Sequence, residues 1–72
     1  MNLSDYMGDF TPTHQHNIHT RLGLSEADNP PLKFLRQEDQ GTVYQVEGTT
    51  LFLWSGQSDT LVSEDGLTWS FP

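Results

Sequence analysis

The chain has 72 residues, which is enough for one domain and too few for a large hydrophobic core. Ten Asp and Glu residues against three Lys and Arg residues give a net charge of −7. This charge disfavours nucleic acid and membrane surfaces as direct partners and favours a protein partner with a basic surface. The absence of cysteine excludes disulfides, thiolate zinc sites and cysteine nucleophiles.

The sequence carries no recognisable targeting signal. No apolar run approaches the ~20 residues that span a bilayer. The first ten residues, "MNLSDYMGDF", lack the basic and apolar regions of a signal peptide. We therefore expect a cytoplasmic protein, in the cell that makes it or, if it is virus-encoded, in the cytoplasm of the host.

Residues 1–31 are polar, and we expect them to form a helical or irregular cover within a single small domain, 1–72. A short helical turn is predicted in "NLSDYM", with Ser4 as its N-terminal cap. A longer helix is predicted over residues 12–22, because Thr11 can cap it and Pro12 suits its first position. Gly23 suits the residue that follows its end. The apolar side chains of this segment that should cover the sheet are Ile18, Leu22 and Leu24.

Residues 32–72 predict an antiparallel β-meander, because short runs of β-branched and aromatic residues alternate with turns rich in Gly and Asp. The predicted strands cover residues 32–37, 42–47, 50–55, 60–63 and 67–71. The third run, "TLFLWS", is apolar on both faces, which is typical of a central strand covered on both sides. We expect the Trp and Phe side chains to share the face that the N-terminal helix covers. The predicted fold class is α+β, with a small antiparallel β-meander of four or five strands and one or two short N-terminal helices.

All three histidines lie in "THQHNIHT", residues 13–20. On a helix, His16 and His19 are three residues apart and could contact one ion, while His14 faces away from His16. A zinc site needs three or four protein ligands, and no spacing selects the carboxylates that would complete one. His16 and His19 are therefore weak metal-ligand candidates, with surface histidines as the alternative, and we predict no cofactor.

The sequence provides little for catalysis. It contains no Gly-x-Ser-x-Gly motif and no glycine-rich phosphate loop. The carboxylate pairs Glu38–Asp39 and Glu64–Asp65 fall in predicted turns, where such side chains commonly bond the local backbone. We predict a protein that is not an enzyme, with no catalytic residue.

One segment, "SEDGLTW" at residues 63–69, resembles the Asp-box turn of sialidase-type β-propellers, whose pattern is Ser-x-Asp-x-Gly-x-x-Trp. The segment is one residue shorter than that pattern. The resemblance implies a β-turn in which Asp65 bonds its own backbone and Trp69 packs beneath. It implies no function.

The acidic residues fall mainly in turns, and alternate turns of a meander lie at the same end of the sheet. Six of them should form two groups: Glu38, Asp39 and Asp59 at one end, and Glu47, Glu64 and Asp65 at the other. A six-residue strand is about 20 Å long, so the groups would be separated by distances found between phosphates of a nucleic-acid backbone. In size, charge and lack of cysteine the chain resembles the DNA-mimic inhibitors of phages and mobile elements, which occupy the basic groove of a restriction, repair or CRISPR enzyme.

These observations predict a small acidic binding protein that inhibits or modulates a macromolecular partner, with a basic-grooved nucleic-acid-processing enzyme as the favoured class. The apolar anchors of that interface are predicted to be Tyr44, Phe52 and Trp54. The alternative is an accessory subunit or adaptor that docks through one edge or face of the sheet. A histidine-based metal-binding protein is the third hypothesis, and the sequence leaves the oligomeric state open.

Overall fold

A computed structural model of the protein describes residues 1–56 and 59–72 and has an α+β fold. The helices are α1 (Leu3–Tyr6) and α2 (Pro12–Leu22). The strands are β1 (Leu32–Glu38), β2 (Gly41–Val46), β3 (Phe52–Gly56) and β4 (Thr60–Ser63). Within the described ranges, no helix is long and apolar enough to cross a membrane.

The four strands form one antiparallel sheet in the order β1-β2-β3-β4, which confirms the predicted meander. The register of the β1–β2 pair shifts between Phe34 and Arg36, where β1 contains a bulge. Strands β2 and β3 are interior, and β1 is a long edge strand. Its bulge and its charged side chains Lys33 and Arg36 are features that discourage another chain from pairing with this edge.

Helix α2 has the predicted bounds, and the signals that predicted it are its actual caps. The Thr11 hydroxyl accepts a hydrogen bond from the His14 amide at 3.2 Å, and Pro12 occupies the first turn. Gly23 ends the helix in the left-handed conformation, with φ of 72°, and its amide donates to the Thr20 carbonyl at 3.1 Å. Local chemistry therefore fixes both ends of α2.

Helix α1 begins earlier than predicted, because Asn2 rather than Ser4 is its N-cap residue. The Asp5 carboxylate accepts from the Asn2 amide at 3.0 Å. The Ser4 amide donates instead to the side-chain oxygen of Asn29 at 2.8 Å. Asn29, which is distant in sequence, thus accepts a hydrogen bond that a local capping side chain would otherwise accept. The prediction of Ser4 as the N-cap residue is wrong.

The hydrophobic core lies between the helices and one face of the sheet. Its buried residues are Leu3, Met7, Ile18 and Leu22 from the helical half, and Leu32, Val46, Leu53 and Val62 from the strands. Leu53 points into this core, so its neighbours Phe52 and Trp54 point to the opposite face of β3. The helices therefore cover the aliphatic face, and the expectation that they cover the Trp and Phe face is wrong. On the opposite face of β3, Phe52 and Trp54 are still half-buried, and Gly66 lies against the Phe52 ring.

The turn between β2 and β3 is longer than predicted. The Thr49 hydroxyl donates to the Val46 carbonyl at 2.7 Å and accepts from the Leu51 amide at 3.0 Å. The Gln45 side chain donates to the Thr49 carbonyl at 2.6 Å. These bonds satisfy the turn backbone internally, so β3 begins at Phe52 instead of residue 50.

The predicted fifth strand, 67–71, is absent from the described residues, and a single bridge between Val62 and Ser70 stands in its place. The two backbone bonds of this bridge measure 2.8 and 3.0 Å. The Asp65 carboxylate accepts hydrogen bonds from the amides of Leu67 and Thr68, which holds this segment in a loop. Leu67 is 84% exposed as a result.

Candidate partner-binding surface

The first group of predicted acids lies at the end of the sheet that carries the β1–β2 and β3–β4 connections, which we call the hairpin end. Glu38 ends β1, Asp39 follows it in the turn, and Asp59 directly precedes β4. All three residues are exposed. Neighbouring strands lie about 4.8 Å apart, so the two connections are separated by roughly 10 Å.

The acids of the hairpin end differ in how their charge is compensated. Glu38 lies 3.6 Å from the Arg36 guanidinium on the same strand. Asp39 and Asp59 make no side-chain hydrogen bond or ion pair with any other residue that the structure describes. Their carboxylates are therefore the members of this group that remain available to a cationic partner.

The second group lies at the opposite end of the sheet, where β2 and β4 terminate. Glu47 follows β2 and is exposed. Glu64 accepts a hydrogen bond from Arg21 at 3.2 Å, and the same guanidinium donates to the Ser70 hydroxyl at 2.9 Å. Arg21 thus reduces the negative charge at this end.

Asp65, the remaining acid of the opposite end, serves its own turn. Its Oδ1 accepts from the amides of Leu67 and Thr68, both at 2.8 Å, and from the Ser63 hydroxyl at 2.9 Å. The amides of Thr68 and Leu67, followed by the Ser63 hydroxyl, lower the pKa of this exposed carboxyl from 3.8 to about 2. The turn implied by the Asp-box resemblance is present, and Trp69 behind it is half-buried.

Two of the three predicted apolar anchors share the sheet face that the helices leave uncovered, which we call the outer face. Trp54 pairs with Val43 and Leu61 across the sheet, and Phe52 pairs with Gln45 and Ser63. Phe52 and Trp54 are both half-buried. The outer face therefore presents two aromatic side chains on an interior strand.

The third predicted anchor, Tyr44, lies on the helix-covered face. It pairs with Leu53 across the sheet and packs against the core. Its ring contacts Tyr6 of α1 edge-on, with centroids 5.9 Å apart, and Phe34 at 6.5 Å. Tyr44 therefore lies on the opposite face of the sheet from Phe52 and Trp54. A partner that docks on the outer face would contact Phe52 and Trp54 but not Tyr44.

The histidines lie in different environments. His16 is exposed, and its Nδ1 is 2.6 Å from the Glu26 carboxylate. His19 is 5% exposed, and its Nδ1 donates to the Gln15 carbonyl at 2.9 Å. Its buried Nε2 forms no hydrogen bond with any described residue. The part of the chain that the structure describes contains no group of three His, Cys, Asp or Glu residues that could hold a metal ion.

The hairpin end also contains a cavity of about 390 Å³ that the sequence did not indicate. It lies between the start of α2 and the β3–β4 hairpin, and its walls include two carboxylates, three aromatic rings and several hydroxyls. The charged and aromatic residues are Asp9, Phe10, His14, Asp59 and Phe71. They come from three separate segments of the chain, so no local spacing could have predicted their meeting.

A neighbouring depression of about 260 Å³ lies beside this cavity on the same end of the sheet and includes Asp39. Ser55 and Gly56 line both. The hairpin end is thus an uneven surface with acids around two adjoining recesses. Such a shape can contact a partner at several points.

Known proteins offer no guide to what this surface binds. The chain matches no protein-family model, no curated protein sequence and no solved structure.

Proposed function

We propose that this protein is a small acidic binding protein that occupies a basic groove of a nucleic-acid-processing enzyme and thereby inhibits or modulates it. The observation that carries the proposal is a set of three carboxylates at the hairpin end that form no ion pair with any described residue, namely Asp39, Asp59 and Asp9. Oppositely charged surfaces accelerate encounter and exclude partners of the wrong sign. A net charge of −7 on a body of 30 × 26 × 21 Å creates a strong negative electrostatic potential that attracts a basic partner.

The test is a pull-down with tagged protein from a cell lysate, eluted stepwise with salt or with duplex DNA. A nucleic-acid-processing enzyme that is released by moderate salt and displaced by duplex DNA would support the proposal. Retention of such an enzyme without displacement by DNA would contradict occupation of its nucleic-acid groove. Retention of no basic protein at low salt would contradict the proposal as a whole.

Matched variants separate specific acids from bulk charge. Asp39→Asn combined with Asp59→Asn removes two negative charges at the hairpin end. Asn17→Lys combined with Thr50→Lys changes the net charge by the same amount at other exposed positions. We expect the first pair to weaken capture at least tenfold and the second pair to have a much smaller effect. Equal losses would show that the position of the carboxylates does not matter.

A second candidate function is an accessory subunit that docks through the outer face, and the position of Phe52 and Trp54 favours it. Aromatic side chains at an uncovered face are typical anchors of protein interfaces. Leu61→Lys places a charge beside Trp54 in the sheet register. Under this alternative, capture of the partner should survive high salt and be lost in Leu61→Lys. Under the first proposal, capture should be salt-labile and only slightly weakened by the added charge of Leu61→Lys.

A further inference from the structure

The cavity at the hairpin end combines negative charge with aromatic rings. Asp9 lies before α2 and Asp59 before β4, and both carboxylates line the cavity. Phe10 and His14 contact each other edge-on, with centroids 4.7 Å apart, and Phe71 completes the wall. Phe71 is 70% exposed, so its ring stands at the rim with most of its surface in water.

The charges around the cavity select the sign of its ligand. Asp9 and Asp59 form no ion pair or side-chain hydrogen bond with any residue in the described parts of the chain. The amino end of α2 contributes a partial positive charge of about one half, which is smaller than the two negative charges of the carboxylates. The balance therefore favours a cation and disfavours an anion such as phosphate.

The rings and hydroxyls select the shape of that cation. A guanidinium is planar, stacks on aromatic faces and presents five N–H donors, whereas an ammonium is a compact, strongly hydrated charge. Ser55 and Thr60 also line the cavity, and the buried hydroxyl of Tyr6 lies close to the hydroxyls of both. Carboxylates and hydroxyls together could accept several N–H bonds while Phe71 covers one face of the plane.

We propose that this cavity binds the guanidinium group of an arginine side chain of the protein partner. The inference rests on the proposed function, because a basic groove that binds nucleic acid supplies exposed arginines. The cavity would give the interface a specific contact in addition to general charge attraction.

The probe is the peptide acetyl-Gly-Arg-Gly-amide, titrated at low ionic strength into the full-length protein while backbone amide resonances are followed by NMR. We expect saturable shifts at residues that line the cavity, such as His14, Thr60 and Phe71. The isosteric peptide with citrulline, which has the same shape and no charge, should give no saturable shifts. The lysine peptide should bind at least about threefold more weakly, and free arginine should also bind more weakly because its own carboxylate meets Asp9 and Asp59.

Two variants and one matched control test the site itself. Asp59→Asn should weaken arginine-peptide binding about threefold or more because it removes one facing charge. Phe71→Ala should weaken it to a similar extent, since cation–π contacts at exposed sites are of this size, and its 70% exposure means that little packing is lost. Glu26→Gln removes one negative charge at an exposed position outside the cavity lining, and should have little effect.

Several outcomes would overturn the inference. Equal binding of the citrulline and arginine peptides would exclude recognition of charge. Equal losses of binding in Glu26→Gln and Asp59→Asn would show that Asp59 acts only through general charge attraction. Tighter binding of free arginine than of the peptide would exclude a side chain of a partner protein as the natural ligand. If the peptide fails to bind while capture of a basic enzyme remains salt-labile, the proposed function stands without this site. If the peptide binds and no basic partner is captured, the site stands and the proposed function fails.

Discussion

Asp65 shows how one side chain can decide the path of the backbone. Its Oδ1 accepts from two amides and a hydroxyl within three residues, and the Ser63 hydroxyl accepts in turn from the amides of Asp65 and Gly66 at 3.2 and 2.8 Å. These bonds occupy donors that a fifth strand would need. The Asp65 carboxylate is therefore engaged within its own turn, whereas those of Asp39 and Asp59 bond no described residue.

The lowered pKa of Asp65 predicts a defined pH dependence of stability. The folded state holds the carboxyl pKa at about 2, below its ordinary value of 3.8. The stabilisation by Asp65 is therefore fully present above pH about 4 and is lost as the pH falls toward 2. In urea unfolding, the difference in stability between the native chain and Asp65→Ala should be constant from pH 7 to 5 and shrink below pH 4.

Asp39→Ala is the control for Asp65→Ala, because the side chain of Asp39 bonds no other described residue. Its effect on stability should be small and should lack this acid-dependent decrease. A difference between native and Asp65→Ala protein that stays constant down to pH 2.5 would contradict the assigned role of the carboxylate.

At the scale of the strands, Trp54 and two glycines form one unit on the outer face. A Cβ atom on Gly41 would lie 2.6 Å from the Trp54 ring and 2.7 Å from the Ser55 carbonyl oxygen. A Cβ atom on Gly56 would also lie 2.6 Å from this ring. The indole therefore lies directly over the backbone of β2 and β3, and only glycine leaves room for it.

This arrangement predicts that Gly41→Ala destabilises the protein by about 1–3 kcal/mol, because the new methyl group meets both a ring and a backbone oxygen. Chemical unfolding would measure the change in the free energy of unfolding. Gly8→Ala is the matched control, since its Cβ would make only ordinary contacts at 3.6 and 4.0 Å.

Gly56→Ala meets mainly the movable ring, so it should displace Trp54 instead of distorting the backbone. In a Trp69→Phe background, in which Trp54 is the remaining tryptophan, its fluorescence should shift to longer wavelength. Unchanged emission from Gly56→Ala would place the indole elsewhere on the sheet.

In the molecule as a whole, acidic residues far outnumber the basic residues that could pair with them. The described ion pairs are Arg21–Glu64 and Arg36–Glu38, and His16 forms a hydrogen bond with Glu26. Most of the acids therefore have no cationic partner among the described residues. Mutual repulsion among these acids opposes the compact state. The charge that supports partner binding therefore reduces the stability of the free protein.

Salt should consequently stabilise the free protein. The melting temperature is expected to rise between 10 and 200 mM NaCl, because the Debye length falls from about 30 Å to less than 10 Å over this interval. The combined Asp39→Asn and Asp59→Asn variant should melt at a higher temperature in low salt and respond less to added salt. A melting temperature that falls with salt would indicate that the few ion pairs outweigh the repulsion.

The sequence by itself determined the features that depend on local chemistry. Thr11, Pro12 and Gly23 specified both ends of α2, because caps act within one turn of a helix. Alternating β-branched and aromatic residues between Gly and Asp turns specified the meander. The meander in turn placed Asp39 and Asp59 at the same end of the sheet.

Only the tertiary structure decided which sheet face the helices cover and which groups meet at the hairpin end. Alternation along β3 defines two faces, but both are apolar, so no local signal tells which of them packs on Ile18 and Leu22. The cavity with Asp9, Asp59 and Phe71 depends on contacts between segments far apart in the chain. Such contacts are fixed by the packing of the whole core, which short-range patterns in the sequence do not encode.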